Sequence, residues 1–329
     1  MLNCIYKQWW FYYTGGLAMA RNSIQFQKGL TLNEFIKNYG TDEQCFDALF
    51  ALRWPNGFQC PKCGYEKSCQ LNTRKLQQCH RCHHQTSLTA GTIFEATKLP
   101  LTTWFQAIYF ISQDKKGVSA MELYRHLDIS YNAASRMKHK LMQVMLEREN
   151  SKTLSGTIQI DDSYLGGERT GCKRGRGADA KIPFVAAVET STDGYPLKIK
   201  LSIVAGFKKK EIEKWTREHI LPESTITSDG LACFKAVSNA DCTHNRIVCG
   251  GGRASVEKIE FYWVNTTLGN LKSALRSTYH SVDKNYAQRY LAEFQYRFNR
   301  RFNLVDFIPR FMYVALRTPA MAERLLRMA

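Results

Sequence analysis

The chain has 329 residues, 44% hydrophobic and 12% aromatic, which is enough to build two or three cores and excludes a mainly disordered chain. Lysine and arginine number 46 against 29 acidic residues, a net +17 that favours a polyanionic partner, nucleic acid first. No run approaches the roughly 18 consecutive apolar residues of a membrane helix, so an integral helical membrane protein is excluded and no membrane partner is expected.

Residues 1–18 show no periodicity. The aromatic stretch Trp9 to Tyr13, followed by Gly15-Gly16, makes a poor secretory core, and Met19 is the expected start of the folded chain. Leu30, Leu32, Phe35, Ile36, Cys45, Phe46, Leu49 and Phe50 have helical spacing, with Thr31 and Thr41 as N-caps. Residues 1–51 thus form an N-terminal extension and a short helical lead. The eleven cysteines are an odd number with four in two tight pairs, which suits a reducing compartment, the cytoplasm.

Residues 52–98 are rich in Gly, Cys, Gln and His and have almost no aliphatic cluster, so they cannot make their own core. Cys60-Pro61-Lys62-Cys63 and Cys79-His80-Arg81-Cys82 are two C-x-x-C pairs fifteen residues apart, the spacing with which two knuckles present four thiolates to one tetrahedral zinc. Metal ligation would supply the missing folding free energy. A structural Zn²⁺ ribbon with Cys60, Cys63, Cys79 and Cys82 as its ligands is expected; His80, His83, His84 and Cys69 are left outside the ligand set.

Within residues 99–150, helical patterns at Ser119 to Leu127 and Tyr131 to Leu146 flank Asp128-Ile129-Ser130. Met121, Leu123, Tyr124, Leu127 and Ile129 are placed to pack on Ala133, Ala134, Met137 and Leu141, a helix-turn-helix pattern. Its second helix would offer Asn132, Arg136, His139 and Lys140 to DNA.

After Thr153 the texture becomes strand-rich: Thr157 to Tyr164, Phe184 to Glu189, Leu197 to Val204 and Thr225 to Thr227, with helices at Lys209 to Ile220 and Leu231 to Val237. Residues 265–302 and 307–327 read as helical. Ile158 to Gly167 sets Asp161 and Asp162 in an apolar β-run, where a charge is costly unless partnered, and a metal is one such partner. Thr225 to Gly230 delivers Asp229 at the end of a second short strand. Asn265 and Lys272 lie about two helical turns apart, on one face.

These residues resemble a bacterial insertion-sequence transposase of the DDE superfamily, in the ISXO-like group with an N-terminal zinc ribbon and an asparagine-lysine third motif. The resemblance rests on the four cysteines, Ile160 to Gly167, Ser228-Asp229-Gly230, Val264-Asn265-Thr266 with Lys272, and Tyr296 to Arg301. It implies a multidomain chain, a zinc ribbon plus helix-turn-helix followed by an α/β RNase H-like, retroviral integrase-type catalytic domain over 153–302, and C-terminal helices over 303–329. It also implies that Asp161, Asp229 and Asn265 hold two Mg²⁺ or Mn²⁺ ions and that Lys272 contacts DNA. The ions, about 3.5–4 Å apart, would support cleavage and strand transfer.

The implied partners are double-stranded DNA, both transposon ends and target, and further copies of the chain in a homodimer or higher oligomer. Most of the superfamily has glutamate where this chain has Asn265; either the amide suffices or Asp162, Glu257 or Glu260 contributes, although strand alternation turns Asp162 outward. Arg174 and Arg176 in the glycine-rich loop 166–181, and Arg297, Arg300 and Arg301 in the basic C-terminal region, are candidate phosphate contacts. The alternatives are an inactive or domesticated transposase acting as a DNA-binding regulator, and a simple RNase H-like nuclease.

Overall fold

A computed structural model describes residues 29–71, 74–166, 181–248, 259–280 and 282–328. Met19, the aromatic stretch at 9–13, the loop with Arg174 and Arg176, and Glu257 lie outside these residues. Helices α1 (Leu32–Tyr39) and α2 (Asp42–Arg53) begin as expected at Thr31 and Thr41. Each threonine hydroxyl accepts the N–H three residues on, while Glu34 or Gln44 accepts the threonine N–H in return.

An aromatic ladder, Phe46, Phe50, Trp54 and Phe58, runs from α2 into the ribbon with successive centroids 6.2, 5.0 and 5.1 Å apart. The ribbon is a three-stranded antiparallel sheet of β1 (Ser68–Leu71), β2 (Leu76–Cys79) and β3 (Gln85–Ser87). Its buried cluster among the described residues is Phe58, Cys60 and Cys79, with Phe50 of α2 and Trp54 just past its end packed against it.

Helices α3 (Leu101–Gln113), α4 (Ala120–Leu127) and α5 (Tyr131–Asn150) form the first large core with α2, through Leu49, Phe105, Ile108, Leu123, Met137 and Leu141. Asp128, in the left-handed region at φ 49°, ends α4, and the Ser130 hydroxyl caps α5. Leu123 packs as expected, but Met121 and Tyr124 are each 43% exposed and do not join this core.

The second half is a five-stranded sheet of β4 (Thr157–Leu165), β5 (Ile182–Thr190), β6 (Pro196–Ile203), β7 (Thr225–Ser228) and β8 (Thr243–Arg246), in the order β6-β5-β4-β7-β8. Strands β4, β5 and β6 are an antiparallel meander, whereas β7 and β8 run parallel to β4. This order and these senses agree with the expected RNase H-like domain. Strand β8, Thr-His-Asn-Arg, was not anticipated, because an edge strand with no apolar residue leaves no periodic signal.

Alternation along β4 and β5 divides their side chains between two covers. Ile158, Ile160, Val185 and Ala187 pack under α6 (Lys209–His219) and the 3₁₀ helix Ala232–Ala240. Phe184, Ala186 and Val188 pack under α7 (Tyr262–Thr278) and α8 (Ala287–Asn299), so the helical reading of 265–302 becomes two helices.

Helix α8 lies between two cores, with Leu291 on the sheet side and Tyr296 in the first core. Helix α9 (Phe307–Ala315) returns to that first core through Phe307, Ile308, Phe311 and Met312. The apolar face of α9 is thus buried against helices from the other end of the chain. No helix among the described residues is long and apolar enough to cross a membrane.

Candidate active site and zinc centre

Strand β4 outlasts its parallel neighbour. Residues 157–160 pair with both β5 and β7, the last register partner of β7 being Ser228 against Ile160, and residues 161–165 pair with β5 alone. Asp161 therefore emerges where β7 stops and Asp229 begins the following turn, at the carboxyl ends of two parallel strands, where open sheets leave a crevice. Carboxylate oxygens of Asp161, Asp162 and Asp229 lie within 4.8 Å of one another. Asp162 thus joins the cluster, contrary to the outward orientation expected from alternation: at the point where pairing to β7 ends, the next carboxylate can fold back beside Asp161.

Burial pushes the Asp161 carboxyl up to about 7, and the charges of Asp162 and Asp229 add to the effect. The Asp162 N–H, 2.8 Å from Asp161 Oδ1, and the Lys272 ammonium oppose it. A half-buried carboxylate group with too little positive charge fits a divalent cation, for which oxygen ligands are the usual set. Asp229 is fixed by its own turn, with Oδ1 accepting the Leu231 N–H at 3.0 Å. Strand β8 braces this turn: His244 Nε2 lies 2.8 Å from Ser228 Oγ, and Arg246 donates to the Gly230 carbonyl at 2.8 Å.

Helix α7 carries Asn265 in its first turn, half-buried, and Lys272 two turns on, exposed. No side chain of its own caps it. Instead Gln159 Oε1 accepts both Trp263 N–H at 3.0 Å and Val264 N–H at 3.1 Å. Gln159 is two residues before Asp161 and so on the same strand face. Sequence reasoning missed this residue, although a polar side chain between Ile158 and Ile160 in register with Asp161 was the available signal. Glu260 is exposed in the 3₁₀ turn Ile259–Phe261 and is not in the carboxylate cluster.

The four cysteines converge as expected. Sγ atoms of Cys60 and Cys82, and of Cys63 and Cys79, are 3.6 Å apart, and all four lie within 4.8 Å. Four sulfurs at 2.3 Å from a tetrahedral zinc would sit about 3.8 Å apart, so the set fits that ion. The two knuckles are copies of one another. Gly64 N–H bonds Cys60 O at 2.9 Å and His83 N–H bonds Cys79 O at 3.1 Å, each from a residue at positive φ, 70° and 54°. His83 is therefore a turn residue, and none of the histidines joins the four-sulfur cluster.

The expected DNA contacts divide. Asn132 and Arg136 are exposed on α5, Arg136 pairing with Glu323 at 3.1 Å. His139 instead packs between Tyr286 and Tyr290, at ring separations of 4.7 and 6.2 Å, where burial pushes it down to about 4. Lys140 donates to the Ile93 carbonyl at 2.9 Å.

The three arginines take partners within the fold. Arg297, 9% exposed, donates to the Asp114 and Lys115 carbonyls at 2.9 Å each; Arg300 pairs with Glu149 at 2.6 Å; Arg301 donates to the Leu197 and Pro196 carbonyls. Arg297 is buried within α8, and Arg300 and Arg301 are half-buried just past its end; within the fold these three reach carbonyls and a buried carboxylate.

Residues 153–299 match the ISXO2-like transposase domain, and residues 40–85 match the transposase zinc-ribbon domain. An uncharacterized protein in transposable element ISH50 of Halobacterium salinarum is 24% identical over 283 residues, 80% of this chain and 92% of that protein. The crystal structure of the Mos1 mariner paired end complex with Mn aligns with 66% of this chain and 87% of its own at 10% identity, with a TM-score of 0.26. One family model spans the strands and helix that bear Asp161, Asp229, Asn265 and Lys272, the other spans the four cysteines, and the chain accordingly belongs to the zinc-ribbon-containing insertion-sequence transposases of the DDE superfamily.

Proposed function

We propose that this protein binds the terminal inverted repeats of a DNA element and catalyses cation-dependent cleavage at its ends and strand transfer into target DNA. The observation that carries the reading is the meeting of Asp161, Asp162 and Asp229 carboxylates beneath the helix that presents Asn265 and Lys272. Asp161 and Asp229 would hold Mg²⁺ or Mn²⁺, with Asn265 completing the set. Asp162 supplies a third carboxylate, which offsets the neutral amide standing where a glutamate is usual. Divalent cations bound there would stabilise the attacking and leaving oxygens of an in-line displacement.

Lys272 orients the scissile phosphate by charge. In the first step water attacks phosphorus and the bond to the 3′-oxygen breaks, leaving a 3′-hydroxyl on the element. That hydroxyl then attacks a target phosphodiester and displaces another 3′-oxygen, one bond forming as one breaks, without ATP. End recognition is assigned to α4 and α5, whose exposed Tyr124, Arg125, Tyr131, Asn132 and Arg136 suit base edges and phosphates. Arg174 and Arg176 remain candidate phosphate contacts.

The test is incubation of the protein with terminal-repeat duplex and plasmid target in Mg²⁺ or Mn²⁺. Wild type is expected to nick the end and form joined product, and Asp161→Ala to lose at least about a thousandfold in rate, the scale of a lost electrostatic catalytic group. Nicking without joining would point to a simple nuclease. Repeat binding without nicking would leave a DNA-binding regulator.

A further inference from the structure

We infer that the exposed face of α7 is the bed for the DNA strand entering the catalytic centre, with Arg276 as a phosphate contact beyond Lys272 and Gly269 as the point of closest approach. This rests on the transposase reading above and extends it to the path of the substrate. Asn265, Gly269, Lys272, Ser273 and Arg276 follow one another at helical spacing and share one face. Val264, Leu268 and Leu271 occupy the opposite, buried face. Gly269, Lys272, Ser273, Arg276 and Ser277 line an open concavity on this outer side.

Two features of the stretch work against the helix, and apart from the charge of Lys272 acting on Asp161 neither is offset among the described residues. Lys272 and Arg276 are like charges four residues apart, an unfavourable pair in an isolated helix. Both are exposed, and neither takes part in an ion pair among the described residues. Gly269 is in the helix interior, where glycine is unfavourable relative to alanine. A Cβ there would meet no atom of the described residues within 4 Å, so none of them requires its absence. A nucleic-acid backbone answers both: phosphates neutralise the two cations, and the missing side chain lets a strand settle between Asn265 and Arg276.

From Asn265 to Arg276 the helix rises about 16 Å, room for about five nucleotides of one strand. The far end of the face leads on. Thr278 Oγ1 donates to the Lys116 carbonyl at 3.3 Å, and Arg297 holds the Asp114 and Lys115 carbonyls. Exposed Lys115 and Lys116 therefore extend the charge toward Ser119, the N-cap of α4. The bed connects the cation site to the helix pair assigned to end recognition.

The experiment uses the full-length protein, a duplex of the element's own terminal repeat, and three variants. Gly269→Gln is expected to melt no lower than wild type, since glutamine is the better helix former, yet to nick at least about tenfold more slowly because the strand is lifted from the reacting groups. Arg276→Ala should reduce the slope of log affinity against log salt by about 0.9, one phosphate contact. Ser273→Cys should form a disulfide with end DNA carrying a mixed-disulfide tether near the cleavage point, by thiol exchange that releases the tether's small thiol.

Wild-type nicking by Gly269→Gln, with no change of slope in Arg276→Ala and no cross-link at position 273, overturns the inference. If Asp161→Ala is inactive in that experiment, the transposase reading stands alone. The cross-link and the reduced slope, obtained with a wild type that never nicks, support the path and remove the catalytic reading instead.

Discussion

A single amide oxygen sets the relation between the strand that carries Asp161 and the helix that carries Asn265. Gln159 Oε1 satisfies two N–H groups that begin α7, and Gln159 itself is 8% exposed. Gln159→Ala would leave both donors buried or force the helix end to move. It should lower the unfolding free energy in urea by about 1–3 kcal/mol. Nicking should fall at least about tenfold under conditions where the variant is still folded, since misplacement of a reacting group by about 1 Å can cost a hundredfold. An unchanged rate would mean that packing alone positions Asn265.

His219 makes a prediction of a different kind. Burial, together with the Lys200 charge, pushes it down to about 4, against the opposing effect of the Glu218 backbone. Between pH 4 and 6.5 the unfolded chain therefore binds a proton that the folded chain refuses. Its stability contribution is full above pH 6.5 and declines as pH falls toward 4. Melting curves at pH 7.5 and 5 should show a smaller loss for His219→Gln than for wild type, and equal losses would place the acid lability elsewhere.

Among the elements, α8 covers the edge of the five-stranded sheet. Sheet edges present unpaired backbone groups that invite association, and proteins cover them. Here β6 is covered by side-chain amides: Gln288 accepts the Ile203 N–H at 2.8 Å, Gln295 the Leu201 N–H at 2.9 Å and Asn299 the Ile199 N–H at 2.8 Å. Gln288 and Asn299 also donate to the Leu201 and Ile199 carbonyls, at 3.1 Å each, so the helix imitates a sixth strand.

Asn299→Ala should destabilise by about 1–3 kcal/mol, the range for an orphaned buried polar group. It should also raise the tendency to aggregate, measured by light scattering during refolding. The basic motif Tyr296 to Arg301 was visible in the sequence, but its role was not, because composition does not say whether an arginine or an asparagine faces a phosphate or a carbonyl.

Across the whole molecule, charged and amide side chains join α5 to α8 beside the apolar contact that Tyr296 makes in the first core. Lys138 and Glu293, 3% and 1% exposed, pair at 3.1 Å, with Tyr279 Oη 2.9 Å from the ammonium. Glu149 accepts from Gln295, Asn299 and Arg300 at 2.9, 2.8 and 2.6 Å. Breaking a buried pair from one side leaves an uncompensated charge. Lys138→Met should therefore cost about 3–5 kcal/mol, and Lys138→Met with Glu293→Leu should recover most of it. Equal stability of the single and double variants would show that the pair is not coupled. Because this network and α9 tie the N-terminal helices to the sheet domain, calorimetry should give one transition for both rather than two.

Whatever depends on neighbours in the chain was readable from the sequence: the caps at Thr31 and Thr41, the zinc knuckles, the apolar alternation of β4 and β5, and the helical spacing of Asn265 and Lys272. A cap, a turn and a period are local interactions, and the residues that make them are only a few positions apart. Tertiary structure alone decided that Asp162 joins Asp161 and Asp229, that Gln159 caps a helix more than a hundred residues away, that His139, Lys140 and three arginines find partners within the fold, and that α9 closes the first core. In each of those cases the partner is distant in sequence, and the same side chain would serve equally well in water, on DNA or against a carbonyl until packing brings one of them within reach.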